Sequence, residues 1–264
     1  MALREETQHI LAELERVSGF PVHVIAVADL PVMATVTTSP HATGSYLVQH
    51  RPGLSFTDYL VAFECGHVLR ILSVPQSERF QFSTGEPAKT WGMGLVRGFF
   101  SKRSTPPPPP ESVLISFTEQ LVSGLFTQLR SIPVGMRVDA WLADSYPALA
   151  DQQAESLAAQ QQEALSCLSP QVRAMVPDEI VSASILLNAA YAIFCDRLLR
   201  MTQYQVPYAA SGFKGFCEAL MRIFDEMPAD PSSDRALVDR WAKEIGLDGK
   251  YKWAPLPASN TMGS

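Results

Sequence analysis

The chain has 264 residues, 47% hydrophobic and 18% charged, enough for one large domain or two small ones with a packed core. A formal net charge of −6 and a pI near 5.4 argue against a nucleic-acid surface, which needs basic residues facing phosphates. Cys65, Cys167, Cys195 and Cys217 form no CxxC pair and read as buried thiols in a reducing compartment, not a disulfide frame.

The charged N-terminal stretch MALREETQHILAELERV, with no uninterrupted apolar run, is not expected to be a signal peptide. No apolar run reaches the ~18 residues of a membrane span. The most apolar stretch, SILLNAAYAIF from Ser184 to Phe194, is flanked by Asp178, Glu179, Asp196 and Arg197 and reads as a buried helix. A bacterial-type cytoplasmic protein is expected.

In chain order, Leu3 to Val17 places Ile10, Leu11, Leu14 and Val17 on one helical face, and Gly19 ends that helix. Strands are expected from Phe20 to Val27, from Val32 to Thr38 and from Ser45 to His50, with turn chemistry at Ser39-Pro40 and Thr43-Gly44. Arg51-Pro52-Gly53 breaks the third strand. Ser55, with Asp58 three residues on, has capping-box spacing and opens a helix running to about Ser73.

Gln76 to Arg103, with Gly85, Gly92, Gly94 and Gly98, is expected to be irregular. Pro106 to Pro110 then forms a stiff extended spacer, either a loop insertion or a ligand for a proline-binding domain. A long helix from Glu111 to Ser131 is expected to stop at Pro133. Arg137 to Ala143 is helical, and Tyr146-Pro147 breaks it. Helices from Asp151 to Leu168, Asp178 to Tyr204, Phe213 to Met227 and Ser233 to Ile245 follow. Gly246 closes the last, before a loosely ordered tail from Leu247. The expected fold is α+β. Residues 1–149 form a small domain of helix, three-stranded sheet and motif helix with a Gly/Pro-rich insertion at 76–110. Residues 150–264 form an α-helical domain.

The chemistry is concentrated in Phe63-Glu64-Cys65-Gly66-His67. Zinc peptidases carry His-Glu-x-x-His on a helix. At about 100° per residue, positions 63 and 67 stand about 40° apart, one turn from each other, so two histidines there bind one zinc ion. Glu64 stands about 60° from His67, where it can take a proton from a metal-bound water, whereas Cys65 points about 160° away. Gly66 lets another element pack close. Phe63 removes the first ligand, because a phenyl ring has no lone pair to donate. A replacement would have to come from outside the helix. His41 and His50, flanking the third strand, and Glu119, among Leu114, Phe117, Leu121, Val122 and Leu125, are the candidates. Asp139 and Asp144 are weaker ones, and Arg137 could pair with a carboxylate or a peptide terminus.

The run SYLVQHRPGLSFTDYLVAFECGHVLRIL, Ser45 to Leu72, resembles the zincin-like core of the IrrE/ImmA family of small bacterial metallopeptidases, in which a strand leads through a short turn into the metal-binding helix. The resemblance covers about a tenth of the chain closely. It implies that Glu64 corresponds to the general base and His67 to the second zinc ligand, with Phe63 standing in place of the first. Glu119 is then a possible third-ligand match. The strand before the helix would line a substrate groove as an edge strand that an extended peptide joins by main-chain hydrogen bonds, and Tyr46 and Phe63 are the candidate peptide contacts.

Three functions follow. The first is a pseudopeptidase, metal-free and without cofactor, binding a peptide or protein. The second is a zinc peptidase with a rearranged ligand set, and the third a helical interaction protein without catalytic ancestry. No GxSxG elbow supports a serine hydrolase. The buried setting of the cysteines argues against a thiol nucleophile. WGMGLVRG, Trp91 to Gly98, lacks the third glycine spacing of a dinucleotide loop.

Overall fold

The computed structural model describes residues 3–37, 44–103 and 109–256. His41, Ser39-Pro40, Thr43 and most of the proline run lie outside the described residues. The fold is α+β. Its elements in chain order are α1 (Glu5–Ser18), β1 (Val22–Ala26), β2 (Ala34–Val36), β3 (Tyr46–His50), α2 (Thr57–Leu72), β4 (Phe80–Ser83), α3 (Glu86–Ser101), α4 (Glu111–Ser145), α5 (Ala150–Ala164), α6 (Pro170–Met175), α7 (Asp178–Leu198), α8 (Val206–Ala210), α9 (Lys214–Glu226), α10 (Asp234–Glu244) and β5 (Lys252–Pro255). Contacts group these into two compact units that interleave in sequence. Of the described residues, the first takes 3–37, 44–79, 135–159 and 255–256, and the second 80–103, 109–134 and 160–254. The division falls inside α4 and α5, not at the single boundary expected after residue 149.

In the first unit, α1 ends as expected. Gly19 adopts φ 74°, and its N–H donates to the Glu15 carbonyl at 2.8 Å, a left-handed cap that glycine reaches without a Cβ clash. The sheet order is β1-β3-β2, with β1 parallel and β2 antiparallel to β3. The strand before the motif helix is thus the centre of the sheet, correcting the expectation of an edge strand. Both its flanks are hydrogen-bonded, with Val22 to Ala26 opposite Tyr46 to His50 and Ala34 to Val36 opposite His50 to Val48. Alternation along β3 sends Tyr46 and Val48 into a core shared with Ile10, Leu14, Tyr59, Leu60, Cys65, Val138 and Leu142. Full burial of one such leucine or valine stabilises by about 1.5–3 kcal/mol.

The capping box at Ser55 does not form. Phe56 is the N-cap of α2, with no side-chain cap bond. The Ser55 hydroxyl donates to Glu155 instead, and Asp58 accepts the Arg4 N–H at 2.6 Å. Both partners lie far away in sequence, so local spacing cannot reveal them.

In the second unit, the stretch expected to be irregular contains β4 and the sixteen-residue α3. Glycines disfavour helix by about 1 kcal/mol each, but Gly92 is where α3 meets α4. A Cβ there would collide with Val122 and stand 3.0 Å from Thr118 Cγ2. Pro133 lies inside α4 rather than ending it. The lost hydrogen bond costs about 3 kcal/mol, and neighbouring Leu129, Met136 and Val138 are fully buried. Among the described residues, one helix has the length and composition to cross a membrane, α7, and 72% of its most apolar window is buried inside the protein. It stops at Leu198, short of Tyr204, because Arg200 turns to φ 55° and the Asp196 carboxylate accepts the N–H groups of Tyr204 and Gln205. The tail also orders, because β5 pairs with β4 and the Trp253 indole and Tyr251 hydroxyl donate to Asp239 at 2.7 and 2.6 Å.

Candidate functional site

Helix α2 presents Phe63, Glu64 and His67 from one turn, all three half-buried. The Phe63 and His67 rings meet edge to face, with centroids 4.8 Å apart and planes at 83°. The ring of Tyr59, one turn earlier, is tilted against that of Phe63 with centroids 5.8 Å apart. The C-terminal part of α4 lies across this face. A Cβ on Gly135 would stand 3.1 Å from Phe63 Cζ and 3.7 Å from His67 Nε2. The space beside the remaining imidazole is therefore occupied by a phenyl ring and by helix backbone.

Gly66 does what its position on the helix suggests. A Cβ there would stand 2.6 Å from Val138 Cγ1 and 3.1 Å from Trp141 Cζ3, so the Val138 and Trp141 side chains of α4 rest directly on the α2 backbone. Cys65 points the other way, into the core. Burial, helped by the neighbouring Glu64 charge, pushes its thiol up to about 12, which removes it as a nucleophile or metal ligand near neutral pH.

A buried polar cluster sits one turn before the motif. The Tyr59 hydroxyl donates to Asp139 Oδ1 at 2.6 Å, and Gln153 donates to the same oxygen at 3.0 Å and to the Asp139 carbonyl at 2.9 Å. Gln152 accepts the Tyr59 N–H at 3.0 Å. These bonds tie α5 to α2 and α4. Arg137 is also buried, and Glu64, His67, Arg70 and Arg137 are all engaged. Gly135, Gln152 and Gln153 carry no sign of their part in the sequence. Glutamine in a Gln/Ala-rich helix carries no local sign of burial. Gly135 announces itself only by facing the motif.

Among the described residues of the first unit, the other candidates do not gather with His67 into a metal-holding group. Glu119 is exposed, lies in the second unit and pairs with Lys89 at 3.3 Å. Asp144 is exposed, and Asp139 is committed to Tyr59 and Gln153. His50 Nδ1 lies 2.9 Å from the Arg51 carbonyl. His41 lies outside the described residues. Among the described residues, no three of His, Cys, Asp and Glu gather closely enough to hold a metal ion. Tyr46, expected to meet a peptide, is only 4% exposed and belongs to the core, where burial raises its phenol against the opposing Arg79 charge. No protein-family model, curated protein or solved structure matches the chain.

Proposed function

We propose that the chain is a degenerate metallopeptidase-like protein that works without zinc and binds a peptide or protein in a regulatory role. The observation that carries this reading is the Phe63–His67–Gly135 contact. A catalytic zinc site needs three protein ligands and an open position. Here a ring replaces one ligand, and the residue of α4 that faces the remaining imidazole has no side chain.

The sheet supplies the binding surface, through an outer strand and not β3. Tyr46 N donates to the Pro21 carbonyl and Val27 N to the His50 carbonyl, so odd-numbered residues of β1 pair inward. By alternation the N–H and C=O groups of Val24 and Ala26 point outward from the sheet. A partner strand adding to β1 would use them.

Selection of peptides from a random display library, followed by amide chemical-shift mapping, tests the reading. Selected peptides should perturb Val24 and Ala26 and lose binding in Val24→Pro, since proline at an outward position spares the β1–β3 ladder. Binders indifferent to that substitution would sink the proposed surface. Stoichiometric zinc in the purified protein, lost in His67→Ala, would replace this reading with the rearranged zinc peptidase.

A further inference from the structure

We infer that the second unit carries a binding site for a small oxyanion, either free phosphate or the phosphoryl group of a small phosphomonoester, between α4 and β4. A surface cavity of about 150 Å³ is lined there by Phe82, Thr84, Ser123, Phe126, Thr127 and Arg130. The four α4 residues have i, i+3, i+4, i+7 spacing and so share one helix face. Phe82 on β4 and Thr84, one residue past the end of that strand, supply the other wall. Three hydroxyls and one guanidinium thereby converge over two rings.

The floor is rigid. Phe126 is 1% exposed. Phe82 stacks on Tyr251 at 4.5 Å and meets Trp253 edge-on at 5.2 Å. The rim is available, because among the described residues Arg130 and the hydroxyls of Thr84, Ser123 and Thr127 make no hydrogen bond or ion pair. The carboxylate one turn along α4, Glu119, is neutralised by Lys89. An exposed arginine is ordinarily just solvated. Here it stands at a concavity whose other polar side chains are hydroxyls, each able to donate. A guanidinium fork with hydroxyls matches the oxygens of a phosphoryl group. A cavity of about 150 Å³ admits a benzene-sized molecule when closed, so the site suits one oxyanion or a single ring.

The site is built wholly from residues of the second unit, so it stands or falls independently of the peptidase-like reading. The test is an amide chemical-shift titration of the full chain with sodium phosphate and with phenyl phosphate, against sodium chloride at matched ionic strength. Saturable shifts should appear at Thr84 and from Ser123 to Arg130, and Arg130→Gln should weaken binding by about tenfold or more. Equal affinity for the two ligands assigns free phosphate, and tighter binding of phenyl phosphate assigns the phosphomonoester. Shifts that chloride reproduces, that survive Arg130→Gln unchanged, or that map elsewhere overturn the inference.

Discussion

Val138 Cγ1 on α4 stands 2.6 Å from the point that a Cβ on Gly66 of α2 would occupy. The contact sets how closely the two helices approach at the motif. Alanine at 66 gains about 1 kcal/mol of helix propensity, yet it forces Val138 against a packed core at a cost of about 1–3 kcal/mol. Gly66→Ala should therefore lower stability or leave it flat in urea unfolding, and Val138→Ala should cost less in that background than in wild type. A plain gain of about 1 kcal/mol in Gly66→Ala would mean the helices do not touch there.

The Gly135 position offers a constructive test. Replacing Phe63 removes the ring atom 3.1 Å from a Cβ at 135, and that Cβ stands 3.7 Å from His67 Nε2. Zinc needs nitrogen at about 2.0–2.1 Å and oxygen at about 2.0–2.2 Å, distances an aspartate at 135 can bridge. Phe63→His with Gly135→Asp should acquire saturable zinc binding and a zinc-dependent rise in Tm. The gain is about 2.7 kcal/mol at a free zinc concentration one hundred times Kd. His67→Ala in that background should abolish both. Calorimetric titration showing no zinc uptake would contradict the placement of α4 over the motif.

The Tyr59–Asp139 hydrogen bond, 2.6 Å and buried at both ends, holds α2 to α4 one turn before Phe63. Tyr59→Phe keeps the ring and removes one donor to a buried carboxylate, a loss of about 1–3 kcal/mol. Denaturant unfolding with an unchanged m-value would assign the loss to that bond.

Cys65 carries a pH dependence. Its unfolded thiol ionises near the ordinary value of 9, while the buried one holds its proton to about 12. Between those values the native state binds more protons, so stability falls as pH rises. The thiol's contribution is complete below pH 9 and is lost towards pH 12. The stability advantage of wild type over Cys65→Ala should shrink above pH 9 by up to about 1.4 kcal/mol per pH unit. A gap constant from pH 8 to 10.5 would show that the thiol is not buried as described.

Much of the first unit was legible in the sequence. The face shared by Ile10 and Leu14, the cap at Gly19, the strand at Tyr46 to His50 and the close approach at Gly66 all follow from periodicity or from one residue's local geometry. Helix α3 was not legible, because its glycines disfavour helix and only contact with α4 compensates.

By itself the sequence determined which side chains share the motif face of α2, since a helix repeat depends on nothing beyond neighbouring residues. Only the tertiary structure decided that β3 lies in mid-sheet, that Gly135 stands over His67, that Gln153 secures Asp139 and that β5 reaches β4. Each of these joins residues from a dozen to more than a hundred positions apart. Pairings at such distances are selected by the burial and hydrogen-bond balance of the whole packed unit, and no local pattern in the chain encodes them.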